Sequence, residues 1–168
     1  MTANNHDTRL ALELVANQKT LVLATADREP WAAPVYYVYR DARFYFFSST
    51  NSRHVTAALA SGHCAASIFR EAADWRQIEG LQMDGHVQPI PLSAAAAGAF
   101  GSYIQKYPTV ADLFGQAVFD FGEFTARFRT QLYAFVARRV FYLNNQAGLG
   151  KRTEIQLPVG QRHFDRRG

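Results

Sequence analysis

An aromatic run that stops on hydroxyls constrains this chain more than any other feature. Phe44-Tyr45-Phe46-Phe47 is followed by Ser48-Ser49-Thr50, then Asn51-Ser52, then the basic pair Arg53-His54, and an apolar pattern at helical spacing begins at Val55. So short and bulky an apolar run reads as a buried strand. Ser52, placed before a periodic stretch, reads as a helix N-cap. The chain therefore passes from a strand into a helix N-terminus, with hydroxyls and cations at the junction. A helix start presents unpaired N–H groups and the positive end of its dipoles, and Arg53 adds a forked donor. Such a junction can hold a phosphate. Arg and His at a helix start are ordinarily surface residues, and here the preceding hydroxyl cluster favours the phosphate reading. The chain offers few acids that could form a hydrolytic pair.

The chain has 168 residues, enough for one domain with a sizeable core. A hydrophobic fraction of 48% and an aromatic fraction of 14% argue against disorder. No apolar run approaches the roughly 20 residues of a membrane helix, and the first residues lack the basic and apolar regions of a secretory leader. The expectation is a cytoplasmic protein with no membrane partner. The lone cysteine, Cys64, lies in the apolar run Cys64-Ala65-Ala66-Ser67-Ile68-Phe69 and reads as a small buried hydrophobe. The histidines are scattered without metal-ligand spacing. The net charge is +4, and part of the excess lies in a basic tail. Without that tail the body is close to neutral, so no nucleic-acid partner is expected. Residues 1–156 read as a single domain and residues 157–168 as a flexible tail.

Periodicity predicts a helix over 7–17 and strands over 20–26, 31–39 and 44–49, joined by short polar turns as an antiparallel meander. A helix over 52–60 ends at Ser61-Gly62, and a strand over 63–69 follows. Residues 76–87 read as a long strand in which Gly80 and Gly85 suggest a bulge or bend. A helix over 93–107 stops at Pro108, and a short one follows over 110–114. Strand pieces at 132–137 and 140–143 are split by Arg138-Arg139, and residues 144–152 form a Gly/Asn loop. Trp31, Tyr36 and Trp75 read as core or subunit-interface residues and Met83 as core. Glu79, Asp84 and Glu123 read as isolated acids on polar faces, and His86 as structural. Five to seven strands with helices between them predict an α+β domain, its sheet closed into a small Greek-key barrel. No dinucleotide or Walker glycine motif is present.

The order of these elements, with Phe-Tyr-Phe-Phe-Ser-Ser-Thr-Asn-Ser-Arg-His at 44–54 and Arg76-Gln77-Ile78 before a glycine-containing strand, resembles the pyridoxamine 5′-phosphate oxidase-like FMN-binding split-barrel family over residues 8–145. Ser52-Arg53-His54 occupies the place of that family's Ser-Arg-Lys phosphate site, with His54 in place of Lys. The resemblance implies an α+β split barrel with peripheral helices and a homodimer holding FMN at the subunit interface. It implies that Ala33, Pro34, Val35 and Tyr36 lie along the flavin, and that Ser48, Ser49, Ser52, Arg53 and His54 hold the phosphate. Gln77 would contact the flavin, or Gly80 or Leu81 in its stead. Lys151 and Arg152 are the nearest basic candidates for the C-terminal flavin and substrate contacts of the oxidase, which have no clear match. The activity implied is that of an FMN-dependent oxidoreductase acting on an unidentified small molecule. Two alternatives stay open: a flavin carrier or sensor without turnover, and a haem- or deazaflavin-binding relative.

Overall fold

The structure, a computed structural model, describes residues 3–112 and 120–159. Its elements are α1 (Ala3–Asn17), β1 (Thr20–Ala26), β2 (Pro30–Tyr36), β3 (Val38–Arg40), β4 (Arg43–Ser48), α2 (Arg53–Ser61), β5 (Cys64–Phe69), β6 (Glu79–Pro89), α3 (Ala94–Lys106), α4 (Pro108–Asp112), α5 (Phe121–Phe128), β7 (Gln131–Asn144) and β8 (Arg152–Ile155). Short 3-10 turns at Trp75–Gln77 and Asn145–Ala147 precede β6 and follow β7. The strands form one antiparallel sheet in the order β2-β1-β5-β6-β7-β4-β3, with β8 also on β7.

This order contains the reason for the curl. β2 and β3 stand at opposite ends of the sheet, yet only Tyr37 separates them in the chain. The two edges must meet at Tyr37, and the sheet becomes a split barrel. The expected single strand over 31–39 is thus two, and the expected three-strand meander is divided: β2 pairs with β1 while β3 pairs with β4.

A bend in a strand interrupts its ladder, and buried backbone groups left unpaired are costly. At Tyr37, which is fully buried, the gap is filled from outside the sheet. The Tyr37 N–H donates to the Tyr107 hydroxyl at 3.1 Å. That hydroxyl's own proton faces the carbonyls of Tyr37 at 2.6 Å and Lys19 at 2.7 Å. The Tyr37 hydroxyl donates to the Val15 carbonyl at 2.7 Å. Lys106 Nζ lies 3.9 Å above the Tyr37 ring and donates to the same carbonyl at 3.4 Å. The ends of α1 and α3 are therefore tied to the barrel corner.

The β6–β7 ladder shifts register between Asp84 and Gly85, where Arg138 is the extra residue. A Cβ on Gly85 would collide with the Val136 carbonyl, so the bulge needs glycine there. Gly80 stays in register opposite Leu143. Across the bulge β7 is one strand, not two pieces. Its first half pairs with β4 and its second with β8. The barrel core includes Leu21, Leu23, Phe44, Phe46, Ile68, Leu81 and Phe135, and Met83 and Cys64 join it as expected. Burial pushes the Cys64 thiol up to about 11. A second apolar cluster, with Tyr45, Phe100, Tyr103 and Phe124, lies between β4 and helices α3 and α5.

Three expectations are corrected. α5 was not anticipated, although Asp120 caps it by accepting from the Glu123 N–H at 2.9 Å. β8 begins at Arg152, the last residue of the expected loop, and runs on to Ile155. Glu79 is not on a polar face: it is buried, ion-paired with Arg70, and accepts from the Tyr142 hydroxyl at 2.6 Å. Pro108 opens α4 as well as ending α3. Residues 113–114 of the expected short helix, and 160–168 of the expected tail, lie outside the described residues. Among the described residues no helix is long and apolar enough to cross a membrane.

Two outcomes are expected. Tyr107→Phe removes the hydroxyl that serves the Tyr37 N–H and should cost about 1–3 kcal/mol in urea unfolding, the range for an orphaned buried donor. Burial also lowers the Lys106 amine from 10.5 to about 8. Below that value both states carry the ammonium and the folded state bears its burial; above 10.5 both carry the amine. Between them the unfolded chain binds the proton and the folded one does not, so stability rises with pH. A gain of roughly 1–2 kcal/mol from pH 7.5 to pH 9.5 is expected, and Lys106→Met should abolish it.

Candidate functional site

β4 ends at Ser48, and the chain turns through residues 49–52 into α2. α2 is fixed by Val55 and Ala58, which enter the barrel core, and by Gly62, whose left-handed conformation ends the helix with an N–H bond to the Ala58 carbonyl. The position and direction of its N-terminus are therefore set by packing.

Ser52 occupies the N-cap, but its side chain makes no capping bond. Its Oγ turns back to donate to the Ser49 carbonyl at 2.8 Å. Ser48 Oγ is 2.9 Å from Ser52 Oγ and 2.9 Å from His54 Nε2. Since the Ser52 proton is committed to Ser49, satisfying each contact requires one direction. His54 Nε2–H donates to Ser48, Ser48 to Ser52, and Ser52 to the carbonyl. The chain of hydroxyls thus fixes the histidine tautomer. Burial lowers the His54 pKa below the ordinary 6.5, so the ring is neutral at pH 7.

Of the first four N–H groups of α2, those of Val55 and Thr56 donate to the Ser52 carbonyl at 3.1 and 3.0 Å. The N–H groups of Arg53 and His54 have no partner among the described residues. The Arg53 side chain is half-exposed and held on two sides. Its guanidinium carbon lies 4.4 Å from the centre of the Trp31 ring, and Nη2 donates to Glu29 Oε2 at 3.1 Å. A cavity of about 420 Å³ opens beside it, lined by Asp27, Arg28 and Glu29 of the β1–β2 turn and by Arg53, Thr56, Ala57 and Ala60 of α2.

The sequence-predicted residues fall into two groups within the chain. Ser48, Ser49, Ser52, Arg53 and His54 form one corner. Ala33, Pro34, Val35 and Tyr36 adjoin it through Trp31, the second residue of the same strand. β2 is an edge strand, a place where Pro34 is tolerated. Ala33 and Val35 point into the barrel, while Pro34 and Tyr36 point outward. Gln77 and Lys151 form the second group, where Asn145 ties the two loops together by donating to the carbonyls of Trp75 and Ile78. Gly80 and Leu81 lie on β6, with Leu81 buried in the core. Trp31, Tyr36 and Trp75 are 44%, 52% and 54% exposed and are not core residues. Sequence reasoning did not find Glu29 and Trp31 as the partners of Arg53, because nothing local links positions 29 and 31 to position 53.

The hydroxyl chain makes a checkable statement. In an NMR titration the His54 imidazole should protonate below 6.5, with nitrogen shifts of the Nε2–H tautomer at neutral pH.

The model of the family described as pyridoxamine 5′-phosphate oxidase matches residues 8–142. A search of curated proteins returns no match. Among solved structures, a haem-binding protein from Mycobacterium smegmatis is similar at 15% identity over 93% of this chain and 59% of that one, with a TM-score of 0.65. A FAD-binding protein from Mesorhizobium loti is similar at 16% over 79% and 90%, with a TM-score of 0.58. HutZ, the haem storage protein from Vibrio cholerae, is similar at 16% over 79% and 92%, with a TM-score of 0.62. At these identities the structures share the fold. With its family model matched over most of its length, the chain belongs to the pyridoxamine 5′-phosphate oxidase family.

Proposed function

We propose that this protein binds FMN as a homodimer and acts as a flavin-dependent oxidoreductase on a small molecule. The observation that carries the reading is the start of α2: two adjacent backbone N–H groups without partners among the described residues, next to an arginine positioned by an aromatic ring. A phosphate monoester needs several converging donors, and helix N-termini supply them. Arg53 and the N–H groups of Arg53 and His54 would hold the phosphate, with Ser48, Ser49 and Ser52 shaping the turn. The neutral, inward-facing His54 adds no second charge. The free edge of β2 beside this corner offers backbone groups for the ring system. FMN, when bound, would supply hydride or electron transfer, while the chain contributes position and electrostatics.

A second copy is favoured by the outer face of the sheet. Val22 and Ala24 on β1 sit between Pro34 and Ala32 on β2 and Ser67 and Ala65 on β5. These side chains are small and nearly all apolar, and they form a face on which a sheet from another chain can pack. In such a dimer Gln77 and Lys151 of one subunit could complete the corner of the other.

A haem reading has one observation in its favour: two structures of similar fold carry haem names. The absorption spectrum of protein loaded with each cofactor separates them.

The test is a titration of FMN and riboflavin, with sedimentation of the same samples. Wild type should bind FMN tightly as a dimer. Arg53→Ala should lose about 1.5–3 kcal/mol of FMN affinity, the range for one charge-assisted contact, and little for riboflavin. Equal losses for both ligands would overturn the phosphate assignment.

A further inference from the structure

Arg53 is held by two contacts of different kinds. Trp31 is part of β2 and is fixed by the strand. Glu29 lies in the β1–β2 turn, with a side chain 78% exposed. Its carboxylate reaches Arg53 across 24 residues of sequence, and both residues line the cavity of about 420 Å³. A carboxylate offers a guanidinium the same kind of acceptor that a phosphate oxygen does. Arg53 therefore already has an anionic partner, drawn from its own chain.

We infer that Glu29 is an internal competitor that occupies Arg53 in the free protein and must release it when a phosphate-bearing ligand docks at the start of α2. This rests on the phosphate reading above and adds to it a determinant of affinity. The exchange is physically easy. An exposed carboxylate loses little hydration in the pair and regains it on release, and exposed ion pairs are weak. Trp31 keeps the guanidinium over its ring throughout, so the arginine changes partner without losing its place. The phosphate gains what Glu29 cannot have, the two backbone N–H groups at the helix start. The exchange forms and breaks no covalent bond.

The test uses the full chain in four forms: wild type, Glu29→Gln, Glu29→Gln with Arg53→Ala, and Asp27→Asn. Asp27 lines the same cavity from the same turn, so its variant removes one negative charge without touching the pair. FMN, riboflavin and inorganic phosphate are titrated into each by calorimetry. Glu29→Gln should tighten FMN and phosphate by roughly two- to fivefold, the equivalent of one surface ion pair, and leave riboflavin unchanged. Asp27→Asn should give a clearly smaller gain, and the double variant none. No gain in Glu29→Gln, or a gain matched by Asp27→Asn, overturns the inference and leaves the phosphate site standing if wild type binds FMN. Failure of wild type to bind both FMN and phosphate overturns the phosphate reading and the inference with it.

Discussion

The Tyr107 hydroxyl at the Tyr37 bend is the contact on which the rest of the structure depends. A sheet that closes by folding one strand across itself loses ladder bonds where that strand turns. Here the turn is buried, so water does not replace them. A phenol suits the task because one oxygen both accepts from the Tyr37 N–H and donates toward a carbonyl. Its ring meanwhile packs on Tyr36 and Tyr103, with centroids 4.9 and 4.7 Å away. Lys106, the neighbouring residue, is satisfied without an acid. The Tyr37 ring face and the Val15 carbonyl in the last turn of α1 both favour a cation.

Closure at Tyr37 sets the surroundings of the corner at the start of α2. It leaves β2 as an edge, attached to the sheet only through β1. It also carries the β1–β2 turn beside the first turn of α2, and there Trp31 and Glu29 meet Arg53. The corner is thus assembled from a turn, a strand start and a helix start that are separated in sequence. The helix start is held by the core anchors of α2, the strand start by the ladder of β2 with β1, and the loop over 49–52 by a hydroxyl bond to its own backbone.

Much of the fold was legible because it is encoded locally. The residues of β1 match the expected strand over 20–26. Ser52 and Gly62 bound α2 where expected, Gly62 through its left-handed conformation and Ser52 without a side-chain capping bond, and Gly85 marks the bulge because no other residue fits against Val136. What was not legible depends on distant partners. The break at Tyr37 needs Tyr107, 70 positions away, and without that hydroxyl the run 31–39 is an unbroken β pattern. Glu79 reads as a surface acid until Arg70 and Tyr142 are placed around it. β8 has four residues, too few for an alternation to stand out from a loop. α5 is different, since Asp120 with Glu123 three residues on is a local start signal. At the candidate site the sequence placed the hydroxyls and Arg53 at one strand-to-helix junction, and the structure has them there. The inward turn of His54 could not be read, because it follows from Ser48 being buried beneath it.

That inward turn changes what kind of anion site this corner can be. Two exposed cations would attract an anion from a distance, through a field that salt screens. With His54 neutral and Arg53 facing Glu29, the corner of the free chain carries almost no net charge. What remains are directional donors: two backbone N–H groups and a guanidinium whose position is set by Trp31. Such donors act at contact range and require an acceptor that meets several of them at once. A tetrahedral phosphate ester can do so, whereas a lone carboxylate on Glu29 engages the arginine without reaching the helix. On the proposed phosphate reading, selection for the ligand over competing anions therefore falls to the geometry of the helix start, and a neutral His54 leaves the site to shape rather than charge.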